Sequence, residues 1–246
     1  MKVAAIADIH GNIDALEAVL ADLERHQPDL IVNLGDSLSS PLAAGETADR
    51  LLPLSLPTVR GNHDRWLVDR PESEMGDWEA PAFRQLSARH LQWIRDMPSA
   101  LVVESEVFLC HATPQKDDVM WTEELLPSGH FALKEQAEIE ALAQGVAYPL
   151  ILCGHSHIAR SVLLSGNRIL VNPGSVGCPG FTYHIPVDHK LETAHPFACY
   201  AIVEKTEAGW QPTFHQVRYD TSRMAALARE AGYEDWARVI GTGRVE

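Results

Sequence analysis

Aspartate, histidine and asparagine side chains recur along this chain at the points where short apolar segments end. Asp8 and His10 follow the apolar segment 3–7, and Asp36 follows the segment 30–34. The same placement holds for Asn62, His63, His111, His155 and His157. These groups offer oxygen and imidazole nitrogen donors without a thiolate, a set that suits Mn, Fe, Zn, Ni or Co. The pattern therefore predicts a transition-metal centre.

The spacing within the motifs adds to this prediction. Asp8 and His10 are separated by one residue, and so are His155 and His157. On an extended segment, residues two apart point to the same side. If the Asp36 carboxylate bridges, the ligands form two sets, which could hold two cations about 3.5–4 Å apart, as in phosphoester displacement. Each motif alone is common in turns and helix caps, but their joint occurrence at strand ends favours the metal interpretation.

Short buried strands that alternate with helices would position these side chains. Continuous apolar runs bounded by turn residues predict strands over 3–7, 30–34, 57–59, 107–110, 150–153 and 168–171. Residues 13–26 have apolar side chains at helical spacing and follow Asn12, a suitable N-cap, so the start of the chain predicts a βαβ unit. In parallel-rich sheets the carboxyl ends of the strands meet at one edge, where ligands bind. Residues remote in sequence should therefore converge there.

The remaining segments predict further helices and strands. Helices are expected over 44–52, 83–97, within 120–145 and over 222–239, and strands over 197–205 and 212–219. The segment 178–196 is rich in Pro, Gly and His and predicts a loop that could close over the active site or remain solvated. With 246 residues and 46% hydrophobic content, a single domain over 1–246 is expected, ending in a helical segment 220–246.

Charge and composition argue against several classes of protein. The formal net charge of −14 opposes nonspecific binding to nucleic acid, which depends on clustered Lys and Arg. The first apolar stretch ends at Asp8, which is too short for a secretory signal, and no run reaches the length of a membrane span. The four cysteines are scattered and form no Cys-x-x-Cys pair. We expect a cytoplasmic protein that binds neither membrane nor nucleic acid.

The ordered motifs together resemble those of the calcineurin-like metallophosphoesterase superfamily, in particular its compact bacterial and archaeal phosphodiesterase branch. They are Asp8-Ile9-His10-Gly11-Asn12, Gly35-Asp36, Gly61-Asn62-His63-Asp64, His111-Ala112, Gly154-His155-Ser156-His157 and Asn172-Pro173-Gly174-Ser175-Val176-Gly177. The resemblance covers residues 1 to about 205. It implies an α/β fold of the four-layer αββα type, with two packed mixed β-sheets flanked by helices and a metal site at the carboxyl ends of the strands.

The resemblance also implies a role for each motif residue. The first metal ion would be held by Asp8, His10, Asp36 and His157. The second would be held by Asp36, Asn62, His111 and His155. His63 would face the substrate and protonate the leaving oxygen, and Asp64 would orient His63. We expect two divalent ions, Mn or Fe, with Zn, Ni or Co as alternatives, and a bridging hydroxide that attacks phosphorus in line.

The expected function is hydrolysis of phosphate diesters of small, nucleotide-like molecules. The alternative is a phosphomonoesterase acting on proteins or small molecules, although the arginine-bearing motif of the protein phosphatases is absent after Gly35-Asp36. A non-catalytic scaffold with this fold would be expected to lose ligands or the acid His63, and this chain has all of them. One departure from the family pattern is Cys178-Pro179-Gly180, which stands where many relatives have Gln-Pro-Arg. An arginine that could contact the phosphate is therefore missing there.

Overall fold

Two mixed β-sheets packed face to face form the centre of the molecule, and helices cover their outer faces. The computed structural model describes residues 1–184 and 186–246. The helices are α1 (Ile13–His26), α2 (Ala44–Leu51), α3 (Asn62–Asp69), α4 (Glu79–Phe83), α5 (Ala88–Asp96), α6 (Gln136–Leu142), α7 (Ser222–Glu230) and α8 (Glu234–Thr242). The strands are β1 (Lys2–Ile6), β2 (Leu30–Asn33), β3 (Ala100–Val103), β4 (Val107–Cys110), β5 (Glu123–Leu125), β6 (Phe131–Leu133), β7 (Leu150–Leu152), β8 (Arg160–Leu164), β9 (Arg168–Asn172), β10 (Gly180–Tyr183), β11 (His189–Glu192), β12 (Ala198–Thr206) and β13 (Gly209–Val217).

Each large sheet combines parallel and antiparallel strands. The first sheet has the order β13-β12-β1-β2, in which β1 and β2 are parallel. The second sheet has the order β3-β4-β7-β9-β8, in which β4, β7 and β9 run parallel. The strands β5–β6 and β10–β11 pair as two separate antiparallel hairpins. The parallel strands therefore lie in the middle of the second sheet and at one side of the first, and the carboxyl ends within each parallel set share one edge.

Alternating side chains of the strands separate the core into layers. Val3 and Ala5 of β1 face Leu109 of β4 and Leu152 of β7 in a buried cluster between the sheets. The opposite face of the first sheet is covered by α1, α7 and α8, and the outer face of the second sheet is covered by α6. Because successive residues of a strand point to opposite faces, the same short strands serve both layers. The expected four-layer αββα architecture is confirmed.

Helix α1 illustrates how local sequence and packing agree. The side chain of Asn12 accepts a hydrogen bond from the Ala15 amide at 3.1 Å, which caps the first turn as predicted. The helix buries a stripe of apolar residues against the first sheet and ends at Gln27, whose φ of 49° is left-handed. On the sheet-facing side, the Asp22 carboxylate accepts a hydrogen bond from the Tyr200 hydroxyl of β12 at 2.6 Å. The predicted bounds of this helix agree with the structure.

Several predicted elements differ from those observed. The segment 57–59 forms a single parallel bridge, Asn33 to Thr58, instead of a strand. The predicted helix 83–97 is shorter, because the Ser87 side chain caps α5 and Phe83 belongs to the preceding α4. The predicted closing helix is divided into α7 and α8 at Gly232, which has a φ of 86°. In the two helical cases a local cap or a left-handed residue overrides the apolar periodicity.

Two predictions failed over longer segments. Most of the segment 120–145, expected to be helical, forms the hairpin β5–β6, and only Gln136–Leu142 is helical. The segment 178–196, expected to be a loop, contains the hairpin β10–β11, while Ile185 lies outside the described residues. Short strands paired only with each other leave little periodicity to read in the sequence.

Within the described ranges, every helix is too short or too polar to span a lipid bilayer.

Candidate metal centre

The predicted metal ligands meet where strands of both sheets end. Asp8, Asp36, His111 and His155 lie one to three residues beyond β1, β2, β4 and β7. Two groups result, and within each the potential ligand atoms lie within 4.8 Å of one another. The first group is Asp8, His10 and His157, and the second is Asp36, His111 and His155. Asn62 adjoins the second group, because its Oδ1 atom lies 3.1 Å from His111 Nε2.

Left-handed backbone turns, and not extended segments, aim most of these side chains at the site. Positive φ angles occur at Asp8 (54°), His10 (47°), Asp36 (52°), His155 (72°) and His157 (59°). This conformation is unfavourable for residues other than glycine, and such strain concentrates at functional sites. The expectation that the Asp-x-His and His-x-His pairs converge by extended alternation was therefore wrong. The turns bend the chain back so that both members of each pair face one centre.

Backbone carbonyl groups fix the orientation of three imidazole rings. The Nδ1 atoms of His10, His111 and His157 each contact a carbonyl oxygen, which leaves the Nε2 atoms to face the site. The carbonyl groups belong to Ser39, Leu34 and Cys178, at 2.9, 2.7 and 3.0 Å. A carbonyl oxygen only accepts, so Nδ1 must carry the hydrogen in each ring. The Nε2 atoms can then offer lone pairs to metal ions.

The first group passes a direct test of whether a cation fits. His10 Nε2 lies 3.2 Å from His157 Nε2, and both rings use Nδ1 as a donor to a carbonyl oxygen. With Nδ1 as the donor in both rings, the facing Nε2 atoms need a proton or a metal ion between them. Asp8 Oδ1 lies 3.5 Å from the same His157 atom. The donor set thus matches a divalent ion.

The two oxygens of the Asp36 carboxylate have different surroundings. Oδ1 accepts a hydrogen bond from the His63 amide at 2.9 Å, at the amino end of α3. Oδ2 faces His111 Nε2 at 3.0 Å. The chain passes Asp36 closely at Gly61, where an added Cβ would lie 2.1 Å from Oδ1. Glycine is therefore required for α3 to hold this carboxylate, and Oδ2 is left to face the ligand groups.

The buried carboxylates create a strong attraction for positive charge. Burial opposes ionisation of Asp8, yet the charge and hydrogen bond of His157 hold the pKa of Asp8 below its ordinary value of 3.8. Burial also opposes protonation of His111, but Asp36 outweighs it and raises the pKa of His111 to about 9. By contrast, burial lowers the pKa of His10 to about 3, so this ring stays neutral as a metal ligand must. The ionised carboxylates thus attract positive charge, which His111 carries as a proton, while His10 stays neutral.

His63 lies beside both groups, but its contacts differ from those of the ligands. Its Nδ1 atom contacts Glu79 Oε1 at 2.5 Å, and the side chain of Glu79 is 5% exposed. The ring stacks on Trp78 with centroids 4.8 Å apart and meets the edge of Trp66 at 4.7 Å. Three neighbours therefore hold the ring, and Nε2 is the nitrogen left for chemistry. These are the surroundings expected of an acid group facing a substrate.

Asp64 contacts the backbone instead of His63. Its carboxylate accepts hydrogen bonds from the amides of Asp36, Ser37 and Gly61 at 2.7, 3.0 and 3.1 Å. Burial and the charge of Asp36 raise the pKa of Asp64 to about 6. The contact to the imidazole that the sequence assigned to Asp64 is made by Glu79. Asp64 thus joins the turn after β2 to the start of α3.

A cavity of about 470 Å³ opens directly beside these residues. Its inner wall includes Asp36, Asn62, His63, His155 and His157. The outer walls come from Trp66, Trp78, the segment 118–120 and the two hairpins β5–β6 and β10–β11. Concave pockets of this size next to convergent polar groups are the usual form of small-molecule sites. The segment 178–196 therefore contributes a wall of the cavity.

Sequence reasoning missed the residues that surround the ligand groups. Glu79 and Trp78 lie in a segment with no motif, and Phe131 and Phe181 lie in hairpins that the sequence did not predict. The only signal in the sequence was the high content of Trp and acidic residues between 65 and 80. Their placement depends on packing between remote segments, which local patterns do not encode.

Comparisons with known proteins agree with this geometry. A family model described as the calcineurin-like phosphoesterase superfamily domain matches residues 1–189. An uncharacterized protein of Methanocaldococcus jannaschii is 27% identical over 201 residues, covering 72% of this chain and 76% of the relative. The crystal structure of a metallophosphoesterase from Sphaerobacter thermophilus is similar with a TM-score of 0.74 and 25% identity, covering 99% of this chain and 100% of the other. A protein provisionally described as a diadenosine tetraphosphatase shares the fold, with a TM-score of 0.55, 16% identity and coverage of 87% and 93%.

Proposed function

Because this chain belongs to the calcineurin-like phosphoesterase superfamily, and is thus a phosphoester hydrolase, we propose that it cleaves diesters of small, nucleotide-like molecules at a centre of two divalent cations. The observation that carries this proposal is the pair of adjacent ligand groups, Asp8, His10, His157 and Asp36, His111, His155, at one end of a cavity. His63 adjoins both groups without belonging to either. The proposed metal ligands and the proposed acid would therefore face the same space.

In the proposed centre, the Asp36 carboxylate would help to hold both ions. The first ion would be held by Asp8, His10, Asp36 and His157. The second would be held by Asp36, Asn62, His111 and His155. When bound, such a pair of cations supplies positive charge for the phosphoryl oxygens and acidifies a water molecule. The mixed oxygen and nitrogen donors support Mn or Fe, with Zn, Ni or Co as alternatives.

His63 is the proposed general acid. Its Nδ1 is engaged by Glu79 and its ring is stacked on Trp78, so Nε2 can hold a proton towards the cavity in a fixed direction. A positioned acid of this kind contributes roughly 10²–10⁴-fold to the rate of ester cleavage. Protonation of the leaving oxygen by His63 would release the alcohol, and Glu79 would stabilise the orientation of the ring throughout. Asp64 is proposed to act indirectly, by holding the backbone that carries Asp36.

The setting and partners follow from the same chemistry. The cavity has room for a small phosphoester, which is the proposed partner. Cys110, Cys153, Cys178 and Cys199 are all buried free thiols, which supports the proposal of a reducing, cytoplasmic setting. The net charge of −14 supports a substrate other than nucleic acid.

Removal of the metal tests the proposed mechanism. Protein treated with a chelator and dialysed should lose hydrolysis of bis(p-nitrophenyl) phosphate, and added Mn²⁺ should restore it. A parallel assay with p-nitrophenyl phosphate distinguishes the diesterase from the phosphomonoesterase alternative, because the diester should have the higher kcat/KM. Full activity in metal-free protein, verified by elemental analysis, would exclude the two-ion mechanism.

Substitution of the proposed acid tests its role separately. His63→Ala should lower kcat by roughly 10²–10⁴-fold while the metal content stays the same. The matched control is His130→Ala, which changes an exposed histidine and should retain wild-type activity. If His63→Ala instead loses metal, His63 is a ligand and not an acid.

A further inference from the structure

We propose that the cavity contains an aromatic subsite, formed by the hairpins β5–β6 and β10–β11, which binds a flat aromatic group of a substrate carrying a single phosphate. This inference rests on the proposed function, since it assigns the organic part of the same substrate. The subsite is built around Phe131 of β6 and Phe181 of β10, with Met120 and Leu125 beside them. None of these residues belongs to the family motifs.

The two phenylalanines connect the metal ligands with the outer end of the cavity. The Phe181 ring meets the ring of His157 edge-on at a centroid distance of 5.3 Å. Phe131 lies next, 6.4 Å from Phe181, and meets His189 edge-on at 5.5 Å. Trp78, which stacks on His63, lies 6.5 Å from Phe181. A substrate whose phosphate is at the metal centre would therefore place its organic group against these aromatic rings.

The chemical character of the cavity walls indicates which organic group of the substrate binds there. Phe131 is only partly buried and Tyr183 is exposed although both line a cavity, so apolar area stays accessible there. Such area gains free energy when a ligand covers it, and aromatic rings stack or meet edge-on with a planar group. A sugar or short alkyl group would leave the rings uncovered. A nucleobase or another aryl group fits both the apolar character and the volume of about 470 Å³.

The charges around the cavity limit the number of phosphates. Among the described lining residues, Lys134 is the sole lysine or arginine, and its Nζ donates to the Met120 carbonyl at 2.5 Å. Asp118, Glu123 and Glu124 bring carboxylates to the same walls, of which Glu123 is paired with Arg160 at 2.8 Å and Asp118 lies 3.7 Å from Arg65. A chain of several phosphates extending from the metal centre would be repelled by these carboxylates. The subsite is thus suited to a monophosphate diester and unsuited to a dinucleoside polyphosphate.

Binding of phosphonates tests the subsite without turnover. Phenylphosphonate and methylphosphonate share a headgroup, and an ester hydrolase does not cleave their carbon–phosphorus bond. On the Mn²⁺-loaded protein, calorimetry should give a Kd at least about fivefold lower for the phenyl compound, the low end of the range for stacking on aromatic side chains. Phe131→Ala should remove most of this preference, and Phe131→Leu should keep part of it. Phe214→Ala, which truncates an exposed phenylalanine of β13, is the matched control and should keep all of it.

Hydrolysis assays complete the test. The kcat/KM for thymidine 5′-(4-nitrophenyl) phosphate should exceed that for diadenosine tetraphosphate, and the reverse order would overturn the single-phosphate part of the inference. Equal Kd values for the two phosphonates, or binding of neither, would overturn the aromatic subsite while hydrolysis of simple diesters still supported the proposed function. Conversely, a phenyl preference without hydrolysis of any ester would support the subsite and exclude the proposed function.

Discussion

At the scale of single residues, the site depends on hydrogen bonds that leave one atom of each functional group available. His10, His111 and His157 use Nδ1 on backbone carbonyl groups, and His63 uses Nδ1 on Glu79. Each contact fixes the direction of the ring, so Nε2 of the first three histidines faces the candidate metal centre and that of His63 is left for the cavity. The proposed ligands and the proposed acid differ here in the partner of Nδ1, which is a neutral carbonyl for the former and a carboxylate for the latter.

The contact between Glu79 and His63 gives a prediction at this scale. Glu79→Ala should lower kcat by about 10–100-fold, the usual effect of removing a group that orients a catalytic residue. KM and metal content should change little, because the contact of Glu79 is with His63, which lies outside both ligand groups. Glu79→Gln retains an oxygen that can accept from Nδ1 and should recover most of the activity.

The control for this prediction is Glu74→Ala, an exposed glutamate in the same part of the chain. Its kinetic constants should equal those of the wild type. If Glu79→Ala and Glu79→Gln are impaired equally, the carboxylate charge and not the orientation of the ring is required. Unchanged kcat in Glu79→Ala would exclude a positioning role.

At the scale of elements, helix α3 and the turn after β2 form one unit. Asp36 Oδ1 accepts a hydrogen bond from the His63 amide in the first turn of α3, and the Asp64 carboxylate accepts hydrogen bonds from the amides of Asp36 and Ser37. Backbone amides at a helix start favour a carboxylate there. The unit explains why the motifs containing Asp36 and Asn62 lie at one place although β2 and α3 are separated by another helix.

Gly61→Ala should break this unit. The added Cβ would lie 2.1 Å from Asp36 Oδ1, so either the carboxylate or the start of α3 must move. We expect a loss of stability of about 1–3 kcal/mol, typical of an inserted methyl group in a packed site. Bound Mn²⁺ should fall together with kcat, as measured by elemental analysis and by hydrolysis of bis(p-nitrophenyl) phosphate.

Gly241→Ala is a suitable control, because Gly241 lies in α8 and an added Cβ there has no neighbour within 4 Å. That variant should bind wild-type amounts of Mn²⁺ and should be equal or higher in stability, since alanine favours a helix. Full metal content in Gly61→Ala would show that the contact between α3 and Asp36 is dispensable.

The docking of α1 on the first sheet provides a pH-dependent prediction. Burial works against the Asp22 carboxylate, but the Tyr200 hydrogen bond and the charge of Arg25 hold its pKa below 3.8. A lowered pKa in the folded state means that the ionised group stabilises the fold above the unfolded value, and that this contribution is lost as pH falls through the folded value. The groups facing Asp22 are Tyr200, Arg25, His26 and His215.

Asp22→Asn should therefore lower the free energy of unfolding by about 1–3 kcal/mol at pH 7, the usual worth of a hydrogen bond to a charged group. The difference from the wild type should persist from pH 8 to pH 5, where protonation of the facing His26 can increase it, and should shrink below about pH 4, as measured by urea denaturation. Asp77→Asn, an exposed aspartate, should show no difference at any pH. A difference in the free energy of unfolding that keeps growing below pH 4 would contradict the assignment.

At the scale of the whole molecule, the candidate metal centre lies where the two sheets meet. Asp8 and Asp36 follow strands of the first sheet, whereas His111 and His155 follow strands of the second. Asp8 also accepts a hydrogen bond from the His155 amide at 3.0 Å, which crosses between the sheets. Ions bound by groups from both sheets would oppose separation of the layers, so metal binding and global stability should be linked.

Metal binding should therefore raise Tm. A free ion concentration 100 times the Kd adds about 2.7 kcal/mol per site, which is roughly 5–10 °C for a chain of this size. Differential scanning calorimetry of chelated and Mn²⁺-loaded protein measures the shift. Asp36→Asn keeps the oxygen that accepts from α3 but weakens the shared ligand, and its shift should be much smaller. Equal Tm values with and without Mn²⁺ in the wild type would show that binding at this site does not stabilise the fold.

The sequence alone determined the ligand chemistry and the elements that carry it. Strong local signals were sufficient: continuous apolar runs gave β1, β2, β4, β7 and β9, and the capped periodic segment gave α1 with its observed bounds. The family follows from motifs whose order and residue types are written in the chain. The physical reason is that strand burial, helix capping and donor type are properties of neighbouring residues.

Tertiary structure decided the surroundings of the site. The pairing of Glu79 with His63, the left-handed turns at Asp8 and His10, and the cavity walls carrying Phe131 and Phe181 have no local signature. They arise because segments remote in sequence pack into the same buried space. Which contacts form there depends on the packing of the whole molecule. The sequence thus defined which atoms could bind metal, and the fold defined what else those atoms face.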